Sequence, residues 1–236
     1  MPELTFPQID HTALGDKVYE VLKRKILERE LNAGDKVLVD DVAQQLGVSR
    51  TPVKDALNRL AVEGLIEKVA RRGTFVTTVS LREVDELFDL RLLLETYAAE
   101  KVLERGVVEP FLAKMEEYMV NIDRIADSDS PDYYALMSWN RDLHLALITL
   151  ADNNHMLQIY EGLNIHIQVA RVHYSHSTAS VRQTQREHRA IYEAFESGDL
   201  EQVKRAISTH INNVRAEIIE AAHMLSSARA TTSSVF

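Results

Sequence analysis

Residues 42–60 constrain the fold of this chain more than any other stretch, because they predict two short amphipathic helices joined by a very tight turn. The first short helix is expected to begin with Asp40 or Asp41 as its N-cap and to end at Gly47 in the left-handed conformation. Pro52 falls in the first turn of the next helix, where its missing N–H is not needed. That helix has one apolar stripe, formed by Val53, Ala56, Leu57 and Leu60.

Two strand-like runs follow these helices, at residues 65–69 and 74–79, around a basic turn that contains a glycine. A helical pattern at residues 14–31 precedes them. Two short helices followed by a hairpin are typical of a winged helix-turn-helix, whose second helix enters the major groove of DNA. The residues predicted to face DNA from that helix and from the hairpin tip are Arg50, Thr51, Lys54, Asn58, Arg72 and Gly73.

Taken as a whole, the net charge of −9 argues against nucleic acid as a partner, but the local charge of the DNA-binding segment is positive. Residues 42–80 carry six basic and three acidic side chains, so the acidic excess lies elsewhere, chiefly after residue 81. The chain has no cysteine, so any transition-metal site must use His, Asp, Glu, Asn or water. It also lacks an apolar run long enough to span a membrane and a signal-peptide pattern at its start, so we expect a cytoplasmic protein.

The remainder of the chain has almost no strand signal, and its breaks predict six further helices. The expected fold is therefore mainly α, with a winged helix-turn-helix over residues 1–80 and an antiparallel six-helix bundle over residues 81–226. Residues 227–236 are small and polar, and we expect them to form a flexible tail.

Arg91 and Glu95 lie one turn apart beside the apolar stripe of the first bundle helix. One interpretation is an ordinary ion pair at the helix surface, which the sequence alone favours. The other is that Arg91 is aimed at the carboxylate of a bound ligand, which a guanidinium can hold bidentately.

Four residues on three predicted helices are candidates for a metal site. Asn140 and His144 are four residues apart and share one helix face, while His188 and His210 lie on successive helices that can pack antiparallel. The alternative for each histidine is an ordinary hydrogen-bonded position in the core or at the surface. Three further histidines make it harder to decide which histidines bind the metal. We expect His166 and His173 to line an effector pocket, and His176 is left unassigned.

The N-terminal part resembles the GntR family of bacterial transcription regulators, continuously from about residue 13 to residue 79. The resemblance rests on the runs GDKVL, VAQQLGVSRTPVKDALNRL, EGLI and RGTFV. It implies operator contact by the equivalents of Arg50, Lys54 and Gly73. The family more often has arginine at position 54, and lysine lacks the bidentate fork of arginine, so a guanine contact there would be weaker or would become a phosphate contact.

The segments DLRLLLE, NRDLH and EHRAI, with GD followed by His210, resemble the FCD domain of the FadR branch of this family. The resemblance implies a divalent metal held by an aspartate and three histidines, at the positions of Asn140, His144, His188 and His210. Asn140 departs from the pattern because a neutral amide replaces the carboxylate, so we expect weaker metal binding. Imidazole-rich ligation favours Zn or Ni, followed by Mn.

The family further implies a homodimer, which we expect to bind an inverted-repeat operator of double-stranded DNA. We also expect a small carboxylate effector that coordinates the metal and pairs with Arg91. A metal held by histidines can also activate water, so a metal-dependent hydrolase fused to a DNA-binding domain is the alternative. No HExxH motif supports it. An architectural DNA-coating protein is disfavoured by the acidic net charge.

Overall fold

The computed structural model describes residues 11–127, 132–174 and 178–233. The chain divides into two compact units, residues 1–77 and 78–236. Helices make up most of both units in the described part, and the strands are confined to the first unit. The predicted mainly α fold is confirmed.

The first unit contains three helices and a two-stranded hairpin. Its elements are α1 (His11–Leu27), α2 (Val39–Leu46), α3 (Arg50–Val62), β1 (Ile66–Val69) and β2 (Gly73–Val76). Helix α1 ends earlier than the apolar pattern predicted, because Arg29 adopts a left-handed φ of 61° and the Leu31 N–H bonds back to the Lys25 carbonyl. Such a bond satisfies a carbonyl at the helix end and turns the chain away.

The turn between α2 and α3 forms as the sequence predicted, but the start of α2 does not. Gly47 has a φ of 64°, and its N–H bonds to the carbonyls of Ala43 and Gln44. The prediction that Asp40 or Asp41 caps α2 is wrong: Leu38 is the N-cap residue and makes no side-chain cap. Both aspartates lie in the first turn, where a carboxylate interacts favourably with the positive end of the helix dipole.

The core of the first unit lies where α1 packs on α3. Its buried side chains come from both helices and include Val18, Leu22, Ile26, Val53, Leu57 and Leu60. The hairpin is antiparallel with Ile66 paired to Val76, and Lys36 adds an isolated bridge to Phe75. Burial of the α3 stripe against α1 leaves the opposite face of α3 exposed to solvent.

The second unit is a helical bundle, as predicted. In the described residues it contains α4 (Leu81–Glu104), α5 (Val108–Ala126), α6 (Tyr133–Leu150), α7 (Asn154–Tyr174), α8 (Thr178–Ser197) and α9 (Leu200–Ser233). Helix α4 packs against α6, α7 and α9, and α5 packs against α6 and α8. A capping box begins α4: the Glu83 N–H donates to the Ser80 hydroxyl, and the Ser80 N–H donates to the Glu83 carboxylate. None of the described helices is both long and apolar enough to cross a membrane.

The last helix extends further than the composition suggested. The sequence predicts a flexible tail from residue 227, whereas α9 continues to Ser233. Once a helix exists, each added residue gains one hydrogen bond without a new nucleation step, and the alanines at 228 and 230 have the highest helix propensity.

Candidate functional site

Three buried histidines meet inside the second unit. His144 comes from α6, His188 from α8 and His210 from α9, and their ligand nitrogens all lie within 4.8 Å of one another. The Nε2 atoms of His144 and His188 are 3.3 Å apart. The convergence predicted from helix spacing is therefore present, although binding of a metal remains a prediction.

Each of these histidines has its other ring nitrogen held by a partner. His144 Nδ1 lies 2.9 Å from Glu95 Oε2, and His188 Nδ1 lies 2.9 Å from the Tyr118 hydroxyl. His210 Nδ1 lies 3.0 Å from Glu187 Oε2. When Nδ1–H donates to such a partner, Nε2 carries the lone pair, which is the form that ligates a metal.

Glu187 and Tyr118 were missed by the sequence reasoning, and no local pattern identifies them. Glu187 is buried, and its Oε1 accepts hydrogen bonds of 2.7 Å from both Gln183 and Asn213. Its carboxylate is thus held in place by polar side chains of α8 and α9 while it orients His210. Tyr118 lies on α5, 70 residues before the histidine that it contacts.

Arg91 and Glu95 form a buried pair, so the predicted surface location is wrong. Their side chains are 2% and 1% exposed, and Arg91 Nε donates to Glu95 Oε1 at 2.6 Å. The Tyr160 hydroxyl donates to the same carboxylate oxygen at 2.6 Å. Burial alone would raise the pKa of Glu95, but the charge of Arg91 and the bond to His144 outweigh it and hold that pKa well below its usual range.

Arg91 also contacts the histidine cluster directly. Its Nη2 donates to His144 Nε2 at 2.7 Å, so one guanidinium bridges Glu95 and His144. The bridge occupies the ring nitrogen of His144 that lies 3.3 Å from Nε2 of His188. The pair that sequence reasoning left open between a structural and a ligand-binding role is thus part of the histidine site itself.

The three histidines are held in the neutral form. Burial lowers the pKa of His144, and the positive charge of Arg91 lowers it further. Burial and the neighbouring histidines lower the pKa of His188 and His210 well below the ordinary value. Neutral imidazole is the ligating form, so the electrostatics of the site suit a cation that needs nitrogen donors.

Asn140 lies one turn before His144 on α6. Within the described residues, its Oδ1 atom is buried without a hydrogen-bond partner, and so is Nε2 of His210. A buried polar atom without a partner is costly, and a cation would satisfy both. The donor set of three imidazoles and one amide oxygen fits a divalent transition metal.

Arg171 on α7 is a further residue that the sequence reasoning did not identify. Its Nη1 atom is buried and has no hydrogen-bond partner among the described residues. Burial lowers its pKa, and its charge in turn contributes to lowering the pKa of all three histidines. A second guanidinium therefore acts on the same site as Arg91.

His166, a further predicted effector residue, is not part of the histidine cluster. His166 is exposed on α7. The side chain of His173 and the whole of His176 lie outside the described residues.

The predicted DNA-facing residues of α3 share its exposed face. They are Arg50, Thr51, Lys54 and Asn58. Arg50 forms an ion pair with Asp40 of α2, and the Asn58 amide oxygen accepts a hydrogen bond from Lys68 of β1. These contacts join the exposed face of α3 to its neighbours while leaving Thr51 and Lys54 exposed.

The hairpin tip carries Arg72 and Gly73, and both are exposed. Gly73 has a φ of 121°, and a Cβ atom there would lie 2.9 Å from Lys36 Cε. The local structure therefore gives a reason for glycine in addition to the predicted approach to a DNA backbone.

Comparison with protein families decides the identity of both units. The model of the bacterial regulatory proteins of the gntR family matches residues 14–76, and the FCD domain model matches residues 86–213. The chain belongs to the GntR family and carries an FCD domain. Relatives of this GntR protein are named as transcriptional regulators and repressors rather than enzymes, so it is a DNA-binding transcriptional regulator.

Individual relatives are similar in sequence to this chain, and a solved structure shares its fold. The uncharacterized HTH-type transcriptional regulator YdhC of Bacillus subtilis is 26% identical over 83% of this chain and 86% of its own length. The gluconate operon transcriptional repressor of the same organism is 26% identical over 68% of this chain and 65% of its own length. A GntR structure from Rhodococcus sp. RHA1 shares the fold with a TM-score of 0.67 at 19% identity, over 89% of this chain and 99% of that one.

Proposed function

We propose that this GntR-family protein is a metal-dependent, ligand-responsive regulator. Its FCD domain would bind a divalent metal through His144, His188 and His210, with Asn140 as a further oxygen donor, and would take a small organic acid beside Arg91. The observation that carries the proposal is the convergence of three buried histidines, each with Nδ1 held by a partner.

The partners of the three Nδ1 atoms support a metal site, because a group that binds the outer ring nitrogen of a metal-ligating histidine fixes the tautomer and the orientation of the imidazole. Glu95, Tyr118 and Glu187 come from three different helices, so this arrangement involves most of the bundle. Imidazole-rich ligation favours Zn or Ni, then Mn. When bound, the metal would supply a Lewis-acid centre that holds a carboxylate oxygen, and Arg91 would supply a guanidinium for the same anion.

Metal analysis tests this site. Protein purified without a histidine tag should contain a divalent metal, and His144→Ala should lower that content strongly. His155→Ala is a matched control because His155 is exposed on α7, and it should retain the metal. Equal metal content in His144→Ala and in the wild-type protein would refute the site.

The exposed face of α3 and the hairpin tip would contact operator DNA. We expect a homodimer whose two winged helices bind the half-sites of an inverted repeat, with Arg50, Thr51, Lys54 and Asn58 in the major groove and Arg72 and Gly73 near the minor groove. Arg50→Ala should weaken operator binding by about 1–3 kcal/mol in a gel shift at fixed salt. Unchanged affinity would contradict this placement of α3.

The hydrolase alternative has no supporting observation in the described residues. Glu95 on α4 contacts the cluster, but Arg91, His144 and Tyr160 already bind its carboxylate, so it is not placed as a general base. Turnover of organic acid esters that is abolished by a chelator would be needed to favour an enzyme.

A further inference from the structure

A carboxylate lies beside the arginine that begins α3. Asp40 is in the first turn of α2, and Arg50 is the first residue of α3. Nε of Arg50 lies 2.5 Å from Oδ1 of Asp40, and the two side chains are 67% and 64% exposed. The tight turn at Gly47 thus places a negative charge next to the exposed face of α3.

Folding stability gives little reason for this contact, because an ion pair so exposed to solvent contributes little. A carboxylate also repels DNA phosphates that lie within a Debye length of about 10 Å at 0.1 M salt. If α3 docks on DNA as proposed, the charge of Asp40 weakens binding that depends on phosphates alone. A compensating gain must therefore come from what Asp40 does to Arg50.

The contact leaves the outer edge of the guanidinium available. Asp40 lies at Nε of Arg50, whereas Nη1 and Nη2 make no hydrogen bond within the described residues. A guanidinium is planar and rigid, so a carboxylate on one edge fixes the direction of the other donors. Two donors held in this way match O6 and N7 of guanine, which is the commonest specific contact in the major groove.

Other predicted residues of this face are less suited to such a contact. Lys54 is a flexible point charge and has no fork of donors. The amide oxygen of Asn58 accepts a hydrogen bond from Lys68, so in this arrangement Asn58 does not offer the donor and acceptor pair that adenine requires. Base recognition by α3 therefore depends chiefly on Arg50.

We infer that Asp40 is a positioning residue, which holds Arg50 for a bidentate contact with guanine and so sets the base preference of α3. This inference rests on the proposed docking of α3 in the major groove. Asp40 then acts on specificity in two ways, because it orients the base-reading donors and its charge disfavours binding to phosphates alone. Removing Asp40 should lower the preference for guanine without weakening sequence-independent binding.

Selection from a randomised duplex library identifies the base that Arg50 reads. The full wild-type chain and Arg50→Ala are selected in parallel, and Arg50→Ala should lose the preference for one guanine in each half-site. Gel shifts at fixed salt then use the selected site, the same site with that guanine replaced by adenine, and a scrambled duplex. Wild type should prefer guanine over adenine by about tenfold or more.

Asp40→Ala should reduce this preference to about threefold or less. Asp41→Ala is the matched control, because Asp41 is exposed in the same turn of α2 and makes no ion pair among the described residues. It removes the same charge from the start of the helix and should keep the wild-type preference. Both variants should bind the scrambled duplex at least as tightly as wild type, since each has one negative charge fewer.

The outcomes separate the inference from the docking of α3. If no sequence is enriched, or if Arg50→Ala loses no base preference, the docking and the inference fail together. Loss of a preference for a base other than guanine would overturn the inference alone. So would an unchanged or larger guanine preference in Asp40→Ala, or an equal loss of that preference in Asp41→Ala. Weaker binding of Asp40→Ala to all three duplexes would show that Asp40 supports the fold of α2 and does not position Arg50.

Discussion

The hydrogen bond from Arg91 Nη2 to His144 Nε2 occupies the nitrogen that a metal would use. Metal binding must therefore break a charge-assisted hydrogen bond, which contributes about 1.5–3 kcal/mol. Arg91→Lys keeps the charge beside Glu95, but a lysine ammonium lacks the planar fork that bridges Glu95 and His144. We expect metal to bind about tenfold or more tightly to this variant without organic acid, measured by competition with a chelating dye.

Arg215→Lys is the matched control, because Arg215 also bridges two acidic partners, Asp85 and Asp89, away from the histidine cluster. It should leave metal affinity unchanged. Weaker metal binding by Arg91→Lys would show that the guanidinium supports the site rather than competing for His144.

The buried neutral histidines predict acid sensitivity of the metal-free protein. The pKa of each is lowered in the folded chain, so below the ordinary histidine value of about 6.5 the unfolded chain binds protons that the folded chain does not. The free energy of unfolding should then fall on acidification from pH 7 to 5, by up to about 1.4 kcal/mol per pH unit for each histidine. Urea unfolding with chelator at each pH measures it. His188→Gln should reduce the slope of the free energy of unfolding against pH, and the exposed His155→Gln should not. An equal change of slope in both variants would show that the buried histidines are not the cause of the acid sensitivity.

Sequence spacing could predict the inner residues of the site but not their supports. Asn140 and His144 are four apart on one helix, so the helical repeat alone places them on one face. Glu187 contacts a histidine 23 residues away and Tyr118 one 70 residues away, and such contacts depend on how helices pack. The burial of Arg91 and Glu95 was missed for a different reason, because a charged pair one turn apart is usually at the surface.

At the scale of elements, the turn between α2 and α3 depends on a left-handed glycine. Gly47 has a φ of 64°, and a Cβ there would meet no atom within 4 Å, so Gly47→Ala is penalised by backbone conformation alone. We expect a loss of about 1–2 kcal/mol in the stability of the first unit. Hydrogen exchange followed by mass spectrometry on α1–α3 peptides of the full chain measures it.

Gly15→Ala provides the opposite case. Gly15 lies within α1 and also has open space at its Cβ position, so alanine there should stabilise the helix by up to about 1 kcal/mol. A destabilising Gly15→Ala of the same size as Gly47→Ala would mean that the left-handed turn is not the cause.

Periodicity predicted the existence of the elements better than their ends. The α3 stripe and the paired strands follow from side-chain spacing. The end of α1, the cap of α2 and the length of α9 were predicted wrongly, because the outcome at a helix end depends on a few hydrogen bonds of nearly equal strength. A candidate aspartate is therefore a weak guide to a helix start.

At the scale of the whole molecule, the net charge is divided unevenly between the two units. Residues 1–77 carry twelve basic and twelve acidic side chains, whereas residues 78–236 carry fifteen basic and twenty-four acidic ones, so the entire charge of −9 lies in the second unit. DNA binding by a neutral unit depends on a local basic face rather than on net charge, since screening limits the range to about 10 Å at 0.1 M salt.

This distribution predicts how operator affinity responds to salt. Each basic side chain that neutralises a phosphate releases about one counterion, so the slope of log affinity against log salt counts such contacts. Arg72→Gln, at the exposed hairpin tip, should weaken binding at low salt and reduce the magnitude of that slope by about one. Arg189→Gln removes the same charge from an exposed position on α8 and should leave the slope unchanged. Fluorescence anisotropy of labelled operator from 50 to 200 mM salt, about the range over which such contacts are resolved, compares the two variants. Equal slopes for Arg72→Gln and wild type would place the hairpin tip away from the phosphates and leave α3 as the basic face that contacts DNA.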